Sequence, residues 1–179
     1  DILDLSSWQQ VGVELQESQF NLPRLLEETV KGLSVQARDK GLELIYDVPG
    51  DVPLRIIGDQ SRLRQVIYNL LWNAIKFTNQ GEVTLSVHAD QQVNTGEKTT
   101  LTFSVQDTGI GIPQEQQKDV FKSFVQLDNG ANRQKEGAGL GLAIVSQIVQ
   151  AMDGELGLDS QPEKGSRFFF STEFLVAEA

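Results

Sequence analysis

From residue 22 to 37, apolar side chains recur at Leu22, Leu25, Leu26, Val30, Leu33 and Ala37, at spacings of three, one, four, three and four. That spacing keeps one face of an α-helix apolar. Asn21 suits the cap, Pro23 the first turn and Gly41 the stop. A second stripe, Leu63, Val66, Ile67, Leu70, Leu71, Ala74 and Ile75, predicts the clearest helix of the chain. Between the two, residues 42–48 and 54–57 read as strands around the turn cluster Pro49-Gly50-Asp51-Val52-Pro53. After Gly81 the period falls to two. Val83, Leu85, Val87 and Ala89 then alternate with Glu82, Thr84, Ser86 and His88, which puts the only histidine on the polar side of a strand. A strand over 100–107 follows, across a polar loop over 90–99. Then come a short helix after Pro113, a polar stretch over 128–136, a helix over 139–152, and strands over 155–160 and 167–175. The pattern predicts an α/β (α+β) domain in two layers, with helices on one face of a mixed sheet.

Composition narrows the function classes. The 179 residues suffice for one domain with its own core. Lys and Arg number 15 against 25 Asp and Glu, a net charge of −10, so no basic face is offered to nucleic acid. With no cysteine there is no disulfide, thiolate metal site or thiol nucleophile. No apolar run approaches the roughly 20 residues that span a bilayer, and no signal peptide is visible. Residues 1–10 carry Ile2, Leu3 and Leu5 at helical spacing without room for further turns, and read as the tail of a longer helix.

Candidate chemistry gathers in three places. On the second helix Gln65, Asn69, Asn73 and Lys76 succeed one another about a turn apart, beside the apolar stripe. They form either a solvated face or a metal and phosphate face, where an amide oxygen suits Mg²⁺ and a lysine suits phosphate. Asp107-Thr-Gly-Ile-Gly-Ile-Pro113 ends a strand, and Gly109 and Gly111 permit tight turns and close approach of a ligand. Alone, it is equally an ordinary turn. Glu136 to Ala143 (EGAGLGLA) opens a helix, where glycine N–H groups and the helix dipole favour phosphate. No strand leads directly into it, as a dinucleotide fold requires, and no Gly-Lys-Ser/Thr follows, as a Walker loop requires.

The order of these motifs resembles the ATP-binding domain of bacterial sensor histidine kinases, the hybrid ones above all, within the gyrase, Hsp90, histidine kinase and MutL superfamily. Leu63 to Thr78 (LRQVIYNLLWNAIKFT) is similar to the asparagine box, and Asp107 to Pro113 to the first glycine box. Phe121 to Phe124 (FKSF) resembles the phenylalanine box, Gly137 to Leu142 the second glycine box, and Gly165-Ser166 the small-residue motif before the final strand. The resemblance implies a Bergerat-type sandwich with a mostly antiparallel sheet, residues 1–18 as the end of a dimerisation helix and linker, and residues 19–179 as the catalytic domain. It implies ATP and Mg²⁺ as cofactors, under a lid over 126–138.

Residue by residue, the resemblance gives Asp107 the adenine, Asn73 the metal, and Lys76 with Arg133 or Lys135 the phosphates. Nucleotide contacts fall also to Asn69, Phe77, Gly109, Gly111, Ile112, Phe124, Gly137, Ala138, Gly139, Leu140, Gly141, Leu142 and Ser166. Ser123 and Ala138 depart from the residues common at their places, which touches the lid more than the nucleotide. Asn69 stands where hydrolysing relatives carry a glutamate, and an amide cannot take a proton from water. That favours transfer to a side chain over hydrolysis. The acceptor is then a histidine on a helical hairpin of the same parent, a homodimer, with a downstream receiver domain as next partner. The implied setting is cytoplasmic, in a parent either soluble or anchored in the inner membrane. The alternative is a degenerate nucleotide-binding module that regulates another kinase by docking to it.

Overall fold

The computed structural model describes residues 13–121 and 141–178. Its elements are β1 (Ser18–Asn21), α1 (Leu22–Asp39), β2 (Glu43–Asp47), β3 (Arg55–Gly58), α2 (Gln60–Phe77), β4 (Glu82–Ala89), β5 (Lys98–Asp107), α3 (Gln114–Gln117), α4 (Gly141–Ala151), β6 (Glu155–Gln161) and β7 (Gly165–Val176). The strands form one sheet in the order β1-β3-β7-β5-β4-β2, with β6 also paired to β7. Among the described residues, only β2 and β4 pair in parallel. The two-layer, mostly antiparallel architecture is therefore the one the sequence pattern and the resemblance led us to expect.

The two striped helices form where their apolar stripes said they would. Asn21 Oδ1 accepts the Arg24 N–H at 2.9 Å and caps α1, which buries Leu22, Leu25, Leu26, Thr29, Leu33 and Ala37. Asp59 caps α2 through the Arg62 N–H at 3.1 Å, and all seven apolar residues of the predicted stripe are buried. Helix α1 packs on α2 and β2, α2 on β4, β5 and α4, and α4 on β6, so the three long helices share one face of the sheet. The Lys40 ammonium, just past α1, donates to the carbonyls of Ile75 and Lys76 at 2.6 and 3.0 Å. A cation there suits the negative end of the α2 dipole and holds the two helix ends together.

Strand β7, last in the chain, is central in space. β5 pairs with it from Lys98↔Leu175 to Asp107↔Ser166, while β6 and β3 divide its other edge. Its Phe168, Phe170 and Phe174 point into the core, where Phe170 stacks on Phe103 with centroids 4.8 Å apart. On β4, Val83, Leu85, Val87 and Ala89 are buried and His88 is exposed, as the alternation required.

Strand β1 is the element the hydrophobic pattern missed. It is a four-residue edge strand with one buried side chain, Phe20, and a single buried residue makes no alternation. Elsewhere the differences are of one to three residues: β5 starts at Lys98 and β7 runs from Gly165 to Val176, extended by pairing rather than by their own apolar content. The polar stretch over 128–136 and the first residues of the predicted 139–152 helix lie outside the described residues.

Candidate functional site

The amide stripe on α2 is only partly open to solvent. Gln65, Asn69, Asn73, Lys76 and Phe77 are half-buried, while the neighbouring Tyr68 and Trp72 take the solvent side. Asn69 Nδ2 donates to the Gly141 carbonyl at 3.4 Å, linking α2 to the first residue of α4 and leaving its own carbonyl oxygen as an acceptor. The Asn73 side chain makes no hydrogen bond to another described residue. The Lys76 ammonium lies 5.8 Å from the centroid of the Phe77 ring. Leu142, in the first turn of α4, is half-buried against the core.

Asp107 closes β5 on the helix-facing side and is 5% exposed. Its Oδ1 accepts two backbone N–H groups, from Gly109 at 2.9 Å and from Ser166 at 3.2 Å. Oδ2 has no donor among the described residues. Burial pushes the carboxyl pKa above the ordinary carboxylate range, and the two N–H bonds oppose that rise only in part. The result is a buried carboxylate held rigidly by one oxygen, with the other available to a ligand.

The glycines around it are steric necessities. A β-carbon on Gly109 would run into the Phe77 carbonyl, and would lie 2.9 Å from Thr78 Oγ1 and 3.0 Å from Asp107 Oδ1. That tight seat presses the turn against the end of α2, where the buried Thr78 hydroxyl donates to the Ala74 carbonyl at 2.7 Å. Gly111 has φ +70° and lies against the Gln161 carbonyl, so a side chain there would meet both strain and a clash.

The structure thus brings Asn69, Asn73, Lys76, Phe77, Asp107, Gly109, Gly111, Ile112, Gly141, Leu142 and Ser166 to one end of the sheet, between α2, α4 and the β5 exit. The predicted residues Phe124, Arg133, Lys135, Gly137, Ala138, Gly139 and Leu140, and the lid over 126–138, lie outside the described residues. Phe121, at the start of the phenylalanine motif, sets its ring edge-on to Phe168 at 5.9 Å.

Residues 58–175 match the family described as histidine kinase-, DNA gyrase B-, and HSP90-like ATPase. The chain belongs to that family. The signal transduction histidine-protein kinase BarA of Escherichia coli strain K12 is 41% identical over 170 residues, which are 95% of this chain and 18% of BarA. The sensor protein GacS of Pseudomonas syringae is 43% identical over 171 residues, 96% of this chain and 19% of GacS. The chain therefore spans less than a fifth of these curated relatives. Among solved structures, full-length ShkA in complex with AMPPNP superposes with a TM-score of 0.84 at 34% identity, over 99% of this chain and 35% of ShkA. Within this ATPase family, the histidine kinases are the relatives the chain resembles.

Sequence reasoning missed the polar residues that hold the site from behind. Ser160, on β6, accepts the Ile112 N–H at 2.8 Å. Gln117 Nε2 bridges the carbonyls of Ile112 and Ser160 at 2.9 and 3.1 Å. One signal was present: Leu156, Leu158 and Ser160 alternate in phase, so Ser160 is a polar residue at a core-facing strand position.

Proposed function

We propose that the chain is the catalytic ATP-binding module of a two-component sensor histidine kinase. It binds Mg-ATP and presents the γ-phosphoryl group to a histidine on a helical hairpin of its parent protein. The carrying observation is Asp107: buried, clamped through Oδ1 by the Gly109 and Ser166 N–H groups, and with Oδ2 unserved. Such an oxygen can only accept, and the exocyclic amine of adenine supplies the matching donor. Guanine offers a carbonyl at that place. An acceptor left facing an acceptor in a buried site costs about 1–3 kcal/mol, on the order of 10- to 100-fold in affinity.

The residues also fit a divalent ion held mainly by the nucleotide. Among the described residues no three His, Asp or Glu side chains gather to hold a metal. Asn73 offers one amide oxygen that no described residue occupies, which suits Mg²⁺ sharing phosphate oxygens and water. When bound, the ion neutralises phosphate charge. Lys76, on the same helix face, adds a point charge, and Asn69 stays tied to Gly141 and cannot act as a general base. With positioning and charge neutralisation but no base for water, the site favours transfer over hydrolysis. Residues 1–18 as the end of a dimerisation helix and linker, a homodimer through the hairpin, and a downstream receiver belong to the same proposal.

Calorimetric titration with ATP and GTP tests the reading. ATP is expected to bind at least tenfold more tightly, and equal affinities would refute the role given to Asp107. The second reading, a docking module that binds nucleotide without donating phosphate, has no separate structural observation in its favour.

A further inference from the structure

On the helix-facing side of the sheet, cross-strand rows run through β6, β7, β5 and β4. Leu156, Phe170, Phe103 and Val87 make one row, and Leu158, Phe168, Val105 and Leu85 the next. The row after that is Ser160, Ser166, Asp107 and Val83. Two hydroxyls and a carboxylate replace core side chains, and such groups are costly to bury unless bonded.

Ser160 Oγ has three partners: the Ile112 N–H at 2.8 Å, the Gly165 carbonyl at 3.1 Å and Ser166 Oγ at 2.8 Å. A hydroxyl has one proton and two lone pairs. All three contacts are satisfied in one arrangement only. Ser160 donates to the Gly165 carbonyl, and its lone pairs accept the Ile112 N–H and the Ser166 O–H. The Ser166 proton is then committed to Ser160, away from Asp107, and Ser166 sends Asp107 only its backbone N–H. The same hydroxyl ties down the glycine turn. Gly111 lies against Gln161, the Glu163 N–H donates to the Ile110 carbonyl at 2.6 Å, and Gln117 bridges Ile112 to Ser160.

We infer that Ser160 is a positioning residue for the nucleotide site: its hydroxyl locks the turn at 110–112 onto the β6–β7 hairpin and turns the Ser166 proton away from Asp107, so that the edge beside Asp107 only accepts hydrogen bonds. Ser160 itself touches no base. The inference rests on the reading that Asp107 takes adenine, and it makes base preference a property of three cross-strand residues rather than of one.

The test combines calorimetry with ATP and GTP on the wild-type chain, S160A and S160T with amide hydrogen exchange of the unliganded wild type. In S160A the Ile112 N–H loses its acceptor and the Ser166 proton is released to serve a carbonyl. ATP should bind about tenfold more weakly, and the ATP-to-GTP affinity ratio should narrow by a similar factor. S160T, which keeps the hydroxyl, should restore the ratio. A merely structural serine would weaken both nucleotides alike, so an unchanged ratio in S160A overturns the inference. In the wild type the Ile112 amide should exchange slowly, and exchange at the rate of an unprotected amide overturns it too, whether or not the variants fold. A wild-type chain without preference for ATP would instead overturn the Asp107 reading, while the Ile112 exchange rate still decides the role of Ser160.

Discussion

Replacing Asp107 by asparagine changes one atom of the site and separates binding from folding. The new amide side chain would keep a carbonyl oxygen at Oδ1, so the Gly109 and Ser166 N–H groups, now at 2.9 and 3.2 Å, retain an acceptor. Each bond loses its charge assistance, from roughly 1.5–3 to about 1 kcal/mol net. Against that loss, the variant no longer buries an ionised group whose pKa is raised chiefly by desolvation. The two effects oppose each other, and the unliganded variant should melt within a few degrees of wild type. Binding behaves otherwise. The variant turns an N–H₂ toward the adenine amine, donor against donor, where the wild type gives a charge-assisted bond. Losing that bond and leaving a buried donor unpaired together remove about 3 kcal/mol or more, on the order of 100-fold in affinity. Guanine, with a carbonyl at the same place, should gain relative to adenine, so the preference for ATP should vanish or invert. Calorimetry beside a thermal melt reads both quantities. An Asp107→Asn chain that melts normally and binds ATP within threefold of wild type would refute the reasoning.

Other expectations follow from the same geometry. Asn73→Ala should weaken Mg²⁺-dependent nucleotide binding and leave Mg²⁺-free binding largely intact; equal loss in both titrations would make Asn73 a structural residue. Gly109→Ala drives a β-carbon into the Phe77 carbonyl, backbone that cannot swing aside, and should cost about 1–3 kcal/mol. In a domain of this size that is a fall of roughly 2–12 °C in Tm, and an unchanged melt would show that the turn shifts freely. The pH dependence has a defined sign. Because the folded-state pKa of Asp107 is raised, its contribution to stability is fully present below the unfolded carboxylate value of about 4 and is lost as pH rises through the folded value. Urea titrations from pH 4 upward should therefore show wild type losing stability relative to Asp107→Asn and then levelling, and a difference that moves the other way with rising pH would contradict the assignment.

Much of this was legible in the sequence because it is local. The seven apolar positions of α2, the Asn21 cap and the alternation that exposes His88 depend on residues within a few turns or strand positions of one another. The motifs, taken in order, also pointed to Asp107 and to the amide stripe. What lay hidden is non-local. The Ser166 N–H reaches Asp107 across 59 positions, Ser160 reaches Ile112 across 48, and Lys40 caps α2 from 35 positions away. No periodicity carries such information, since it arises only when elements distant in the chain come together: α1 on α2 for Lys40, and β7 between β5 and β6 for the two serines. Strand β1 failed to register for a different reason: its place is set by backbone pairing with β3 at the sheet edge, and backbone pairing leaves little trace in composition.

The central claim is that this chain is a phosphoryl donor whose acceptor lies elsewhere, and radiolabelled ATP tests it most directly. His88, the only histidine, is exposed on the face of the sheet away from the helices, while Asp107, Ser166 and α2 lie on the other. A side chain fixed in a strand paired along β5 cannot come in line with a γ-phosphate across its own sheet. The chain alone, incubated with γ-labelled ATP and Mg²⁺, should bind nucleotide, release little phosphate and take up no acid-labile label. The same chain extended upstream through a helical hairpin bearing a histidine should become labelled on that residue. Phosphohistidine at His88 in the chain alone, or an extended chain that binds ATP and still transfers nothing, would contradict the account.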